Sequence, residues 1–408
     1  MKKKLLVLTS TFPRWENDAI VPFVYELSKR LTSNFEVYVL MPGYPGAKAF
    51  EVIDDIKVYR FRYFFRKFEK LAGGGGILPT LRKNRLYYFV IPFFMAANFF
   101  ALRKTVKKLQ PDVIHAHWII PQGFIAALMK KLYKVPFLVT AHGGDVFGLP
   151  GKCATRAKRF TLKKADKITA VSGALKSEIL ASIDPNLEIQ VVSMGVDSEH
   201  FSPDKKDISL KDKYNMEGPF LLFVGRLAEK KGVRYLIEAM PQIIDELPKT
   251  KLLIVGGGVL EENLKKLTDK LGLSHNVIFT GRLPNSELPK YYATADIFIG
   301  PSVVAEGGDT EGLGLTFIEA AMSGSVPVAT NVGGVSDAVE DGKTGFLVEQ
   351  KSPSQIAEKI IALLQNKTLI ISMAEQARDR AVKQFDWKIV AGKYSSLLKS
   401  ATGDSHNG

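Results

Sequence analysis

Short apolar runs alternate with amphipathic stretches along this chain, and most of the apolar runs end in glycine, histidine or a basic residue. Leu5–Leu8 and Phe35–Met41 read as strands. Between them lies a loop from Thr9 to Val21 and a helix with Phe23, Val24, Leu27 and Leu31 on one face. Asp112–Trp118, Phe137–Ala141 and Ala165–Ser172 continue the pattern, with Ser172 an N-cap for a helix over 173–181. A second series follows: Phe220–Val224, Leu252–Val255, Val277–Thr280, Ala295–Ile299, Val326–Thr330 and the stretch Gly342–Val348. Strand–helix–strand repeats of this kind build parallel sheets, which place ligands at the carboxyl ends of their strands. The expected architecture is therefore two doubly wound α/β domains, residues 1–196 and 219–384, joined by a polar linker at 197–218. A last helix over 385–401 follows, and 402–408 form a disordered tail.

Composition narrows the class. A chain of 408 residues, 46% apolar and 24% charged, has ample material for two cores and is not disordered. The single Cys153 excludes an internal disulfide and zinc-finger spacing, and fits a reducing compartment. Lys2–Lys4 before Leu5–Leu8 imitates a signal peptide, but the apolar run is too short, so it reads as a buried first strand. Residues 1–195 hold 31 Lys and Arg against 14 Asp and Glu, whereas residues 196–408 hold 25 against 28. The first half should meet an anionic partner.

Residues 57–108 concentrate that charge. Tyr59, Phe61, Tyr63, Phe64, Phe65 and Phe68 interleave with Arg60, Arg62, Arg66, Lys67 and Lys70. A glycine break at 73–76 follows, then an uncharged run from Leu86 to Leu102 bracketed by basic residues. Four readings fit: a membrane span, a nucleic-acid surface, an interfacial surface against anionic lipid, and a buried helix with a solvated basic end.

The chemistry gathers in a few turns. Residues 305–322 contain Gly307, Gly308, Gly312 and Gly314, then a mostly buried helix from Leu315 to Met322 that carries Thr316. Such a loop presents helix N-terminal amides to an anion. Glu311 and Glu319 lie eight residues apart there. Glu238 and Glu246 share that spacing on an ordinary amphipathic helix, so the glycine loop makes the difference. Gly225-Arg226 and Lys230-Lys231-Gly232 set Arg226 and Lys231 around a turn where both can reach a diphosphate. Gly256–Gly258 suggests dinucleotide binding only weakly, lacking the third glycine. Upstream, His115 and His117 share a strand face, without carboxylates or cysteines at metal-ligand spacing, and Pro121-Gln122-Gly123 opens the next helix. His142-Gly143-Gly144-Asp145 ends an apolar run, so an imidazole and free amides face one spot.

Taken together, Gly-Arg-Leu-x-x-x-Lys-Gly at 225–232, His-Gly-Gly-Asp at 142–145 and the paired glutamates after a glycine loop resemble the retaining glycosyltransferases of family 4. The resemblance covers nearly the whole chain and implies the GT-B fold, two Rossmann-like domains facing a central cleft. It implies transfer of a sugar from a UDP- or GDP-sugar to a saccharide hydroxyl, probed on the donor side by Arg226, Lys231, Arg282, Leu283, Glu311, Gly312, Gly314, Leu315, Thr316 and Glu319. Glu319 would hold ribose hydroxyls, Glu311 and His142 the donor sugar, and Arg226 and Lys231 the diphosphate, with no metal and no cofactor. Arg14, Asp18, His117, Gln122 and Asp145 are the acceptor-side candidates. The first loop here, Phe12–Asp18, lacks the glycines usual in the family. Family habit and the basic surface imply a lipid-linked acceptor for a cell-surface polysaccharide, at the cytoplasmic face of a membrane, with no nucleic-acid partner. A nucleotide-sugar 2-epimerase of the same fold and a non-catalytic nucleotide-sugar or membrane-binding subunit are the alternatives.

Overall fold

The computed structural model describes residues 2–15, 18, 23–72 and 76–403, Arg82 by its backbone alone. Glu16 and Asn17 of the first loop, Gly73–Gly75 of the glycine break and residues 404–408 of the tail lie outside the described residues. The chain divides into two compact units, Met1–Met194 with Val390–Gly408, and Gly195–Ile389.

The first unit is built on an eight-stranded sheet of β1 (Lys3–Leu8), β2 (Phe35–Pro42), β3 (Phe50–Ile53), β4 (Ile56–Phe61), β5 (Val113–His117), β6 (Phe137–Ala141), β7 (Lys167–Ala170) and β8 (Gln190–Val191). Its order is β3-β4-β2-β1-β5-β6-β7-β8, parallel throughout except that β3 runs antiparallel to β4. The central strands are apolar along their length because helices cover both faces. Part of the basic, aromatic stretch is thus strand β4, and Arg60 within it is buried, ion-paired with Glu51 at 3.0 Å. The β3–β4 hairpin escaped the sequence reading because its short strands are half exposed and carry charge.

The second unit holds a six-stranded parallel sheet of β9 (Phe220–Val224), β10 (Lys251–Val255), β11 (Val277–Gly281), β12 (Ile297–Gly300), β13 (Val326–Thr330) and β14 (Phe346–Val348). The order β11-β10-β9-β12-β13-β14 places its switch point between β9 and β12. There, successive loops leave the sheet in opposite directions and open a crevice.

Residues 197–218, expected as a linker, instead pack onto this unit. Phe201 lies edge-on to Tyr292 at 5.7 Å, Asp207 N donates to Thr294 Oγ1 at 2.9 Å, and Tyr214 and Tyr291 share a hydroxyl hydrogen bond. The polar composition hid these three anchoring contacts. The last helix, Trp387–Ala401, belongs to the first unit from Val390 onward, where Tyr394 Oη donates to Val192 O at 2.9 Å.

Glycines set how closely the second unit's loops approach. A Cβ on Gly232, at φ +60°, would lie 1.8 Å from Pro301 O. Gly232→Ala is therefore expected to lower the unfolding free energy by about 2 kcal/mol or more in chemical denaturation, since neither backbone can yield.

Candidate active site

The crevice between β9 and β12 is made from five loops. The turn after β9 is laced to the turn after β10: Gly225 N donates to Val255 O at 2.9 Å and Leu227 N to Gly257 O at 3.2 Å. A Cβ on Gly256 would meet Gly225 O at 1.8 Å, and one on Gly258 would meet Leu227 O at 2.2 Å. Gly256–Gly258 is thus a spacer that lets two backbones touch, which explains its weak likeness to a dinucleotide motif. On the other side of the switch point, Val303 N donates to Lys230 O at 2.8 Å, tying the loop after β12 to the turn after β9.

Two adjacent lysines hold the glycine loop. Lys230 Nζ reaches Asp309 Oδ1 at 3.3 Å and Thr310 O at 3.4 Å, while Lys231 Nζ forms an ion pair with Glu311. The Glu311 carbonyl is fixed from behind by Gly334 N at 2.9 Å, and a Cβ on Gly333 would press to 2.1 Å of that carbonyl. Burial works to raise the Glu311 carboxyl, but Lys231, Lys230 and the Gly312 amide outweigh it and hold the group below its ordinary range. Glu311 is thus an anion. The helix Leu315–Met322 begins four residues later, after Gly314 at φ +84°. Phe317 N turns back to Gly314 O at 3.0 Å, and the first turn carries partial positive charge.

Glu319 has the opposite fate. It lies on that helix, accepts a hydrogen bond from Tyr292 Oη at 2.8 Å, and burial pushes its carboxyl up to about 7 despite that bond. Burial likewise pushes the Tyr292 phenol well above its usual value. Two glutamates eight residues apart therefore titrate apart, because close lysines outweigh burial at Glu311 whereas burial outweighs the Tyr292 hydroxyl and the charge of Lys231 at Glu319.

The remaining donor-side residues fall at the same strand ends with less commitment. Arg226 is exposed in the turn after β9, and no ion pair engages it among the described residues. Arg282 is exposed beside the β10 turn, where a Cβ on Gly257 would lie 3.4 Å from Arg282 Nε; Leu283 next to it is half-buried. Gly312, Leu315 and Thr316 are half-buried and Gly314 is buried. The geometry joins Lys231 directly to Glu311 and leaves Arg226 exposed at the turn.

In the first unit, the imidazoles form a buried file. His117 Nδ1 and His142 Nε2 are 3.0 Å apart, and the His115 and His117 rings lie 4.1 Å apart. His115 Nε2 bonds Thr140 Oγ1 at 2.8 Å, which in turn bonds Thr169 Oγ1 at 2.8 Å. Burial lowers His115 and His142 to about 3 and His117 well below its ordinary value, so all three are neutral. His142 is the half-buried member, flanked by Phe23 at 5.1 Å and Trp118 at 4.9 Å.

The acceptor-side candidates are mostly enclosed by their own unit. Asp145 is buried, accepting Ile119 N at 2.7 Å and the amides of His142 and Gly143 at 3.1 Å. Those bonds oppose the burial that raises its carboxyl, and they fix the His142 turn; Asp145 positions rather than contacts. His117 and Gln122 are wholly buried, and Arg14 is held by Asp18 at 2.7 Å through a two-point bond. A strand end followed by Gly and Asp has the same composition whether its side chains point to solvent or inward, so only packing distinguishes the two. The sequence reading also missed Tyr292, Lys230 and Gly333. Tyr292 sits on a helix 27 residues from Glu319, with no motif to mark the pair.

Protonation of Glu319 gives a pH signature. Its folded-state value of about 7 exceeds that of an unfolded glutamate, so the folded chain binds the extra proton between the two values. The stability this contributes is full at acid pH and is lost as pH rises towards 7. Relative to Glu319→Gln, the wild-type unfolding free energy should fall by about 2–3 kcal/mol between pH 5 and 8 in urea titrations.

Comparison with known proteins agrees with this fold. Residues 20–200 match the family described as Glycosyltransferase Family 4, and residues 204–383 match Glycosyl transferases group 1. A GDP-mannose-dependent alpha-(1-6)-phosphatidylinositol monomannoside mannosyltransferase of Mycobacterium tuberculosis is 31% identical over 301 residues, covering 73% of this chain and 78% of that one. An N-acetyl-alpha-D-glucosaminyl L-malate synthase of Bacillus anthracis is 27% identical over 331 residues, 80% and 84% of the two chains. Among solved structures, a sucrose-phosphate synthase from Thermosynechococcus elongatus superposes with a TM-score of 0.79 at 19% identity, over 99% of this chain and all of that one. Anabaena Alr3699/HepE in complex with UDP gives 0.74 at 19% identity, over 97% of this chain and all of the other. The chain belongs to glycosyltransferase family 4, has the GT-B fold, and is a nucleotide-sugar glycosyltransferase.

Proposed function

We propose that the chain transfers a hexose from a UDP- or GDP-sugar to a hydroxyl of a saccharide acceptor with retention of configuration and without a bridging metal. The observation that carries this reading is the Lys231–Glu311 pair at the switch point, next to the start of the helix Leu315–Met322. As the bond between the anomeric carbon and the phosphate oxygen breaks, negative charge grows on the diphosphate. Lys231, the exposed Arg226 and the helix amides supply positive charge to it. Glu311 remains an anion beside the developing positive charge of the sugar ring and accepts from its hydroxyls. The acceptor hydroxyl attacks from the face the diphosphate leaves, and a phosphate oxygen takes its proton. His142 offers a neutral imidazole whose Nε2 is engaged by His117, leaving Nδ1 for a sugar hydroxyl.

Glu319 would accept from ribose hydroxyls in its ionised form, so nucleotide should bind more tightly as pH rises through about 7. A lipid-linked acceptor is supported by the mycobacterial relative, whose name specifies a phosphatidylinositol monomannoside.

Glu311→Gln is expected to lower transfer by roughly a hundredfold or more while nucleotide affinity, read by thermal shift, stays within a fewfold. Lys231→Ala should weaken both, since it removes a phosphate partner and leaves a buried carboxylate unpaired. Near-full turnover by Glu311→Gln would remove the assigned role. New sugar nucleotide formed from donor alone would identify an epimerase instead.

A further inference from the structure

The turn around Phe64–Phe68 and the segment Arg85–Leu109 form a second feature, unconnected with the donor residues. The segment begins as a tight helical turn, Arg85–Val90, and continues as a helix, Ile91–Leu109. One stripe of that helix, Phe94, Asn98, Leu102, Val106 and Leu109, is buried. Phe94 packs against Phe61 at 5.9 Å and Tyr63 at 5.1 Å, at the end of the sheet. The other face is exposed and apolar in its first half: Leu86 is 70% exposed, Phe89 77%, Phe93 57% and Phe100 62%. Phe65, 71% exposed, joins them through Phe64, whose ring lies 5.1 Å from Phe65 and 5.3 Å from Phe93. Large side chains in water at this density, in one patch, are a surface awaiting a partner.

The charge around the patch identifies the partner. Residues 57–108 contain thirteen Lys and Arg and a single acidic residue, Glu69. Glu69 is buried, paired with Arg62 at 2.7 Å and accepting the Tyr63 amide at 2.8 Å, so it presents no negative charge outward. Arg66, Lys67 and Arg85 are exposed beside the aromatic rings, and Arg103, Lys104, Lys107 and Lys108 are exposed along the second half of the helix. Aromatic side chains rimmed by cations match the boundary of a bilayer, where rings enter the headgroup region and cations meet anionic lipid. The apolar segment is long enough to cross a membrane by length and composition alone. Crossing would strip the Phe94–Val106 stripe from the first unit's core, whereas lying in the interface uses both faces as they stand.

We propose that the face carrying Phe65, Leu86, Phe89, Phe93 and Phe100 seats the enzyme on a lipid bilayer containing anionic headgroups, with the helix Ile91–Leu109 lying in the plane of the membrane. The test uses the full chain and co-sedimentation with vesicles of phosphatidylcholine, either pure or with roughly a third phosphatidylglycerol. The wild type should sediment with the anionic vesicles, and raised salt should weaken but not abolish binding once the rings are inserted. Phe65→Ser with Phe89→Ser should reduce vesicle binding roughly tenfold or more with the melting temperature and nucleotide affinity unchanged, because both rings are on the surface. Arg66→Glu with Lys67→Glu should remove the preference for anionic over neutral vesicles. The Phe65→Trp variant should gain fluorescence that shifts to the blue only with vesicles. The proposal is overturned if the wild type stays in solution with anionic vesicles, or if the double serine variant binds as well as the wild type. Self-association or nucleic-acid binding that replaces vesicle binding and is lost in that variant also overturns it. Nucleotide affinity is read separately, so loss of this proposal leaves the donor-site assignment standing.

Discussion

A carboxylate and an ammonium group held together away from water must be kept there by the backbone, because each would otherwise recover its hydration. Glu311 and Lys231 meet this condition through their loops rather than through their own side chains. Gly232 lets one loop press onto Pro301, and Gly333 lets another press onto the Glu311 carbonyl. Losing either contact would let the pair drift apart, and the first turn of the helix Leu315–Met322 would lose its fixed relation to both charges. The parallel sheet supplies the rigid edge: all these loops spring from the carboxyl ends of neighbouring strands.

The two units solve the burial of titratable groups differently. In the second, close countercharges outweigh burial at Glu311, which stays ionised, while at Glu319 burial outweighs Tyr292 and the charge of Lys231 and raises the carboxyl to about 7. In the first, burial acts on imidazoles with no acid beside them, and all three are neutral. Asp145, buried behind the His142 turn, is satisfied by backbone amides rather than by a cation at hydrogen-bond distance. One unit thus offers fixed charge and the other neutral hydrogen-bonding groups.

The helix Ile91–Leu109 carries two apolar faces with different uses. A core helix needs one such stripe, and Phe94, Asn98, Leu102 and Val106 supply it. The second face makes no contribution to the core, and its rings cost solubility in isolation. That excess is what separates this helix from its neighbours of similar length.

Hydrophobic periodicity in this chain was enough to mark most strands, because central parallel strands are continuous apolar runs. It was also enough for the helix Leu315–Met322, whose glycine start and buried face are local features. The charge difference between halves is likewise a property of composition. Packing alone decided the rest. Tyr292 meets Glu319 only once two helices are docked, and the acceptor-side candidates His117, Gln122 and Asp145 turn inward because the strand ends close over them. The polar segment 197–218 gave no sign of the few aromatic anchors that bind it to the second sheet. Local sequence fixes which groups a turn carries; whether a group faces water, a lysine or another ring depends on what folds against it from far along the chain.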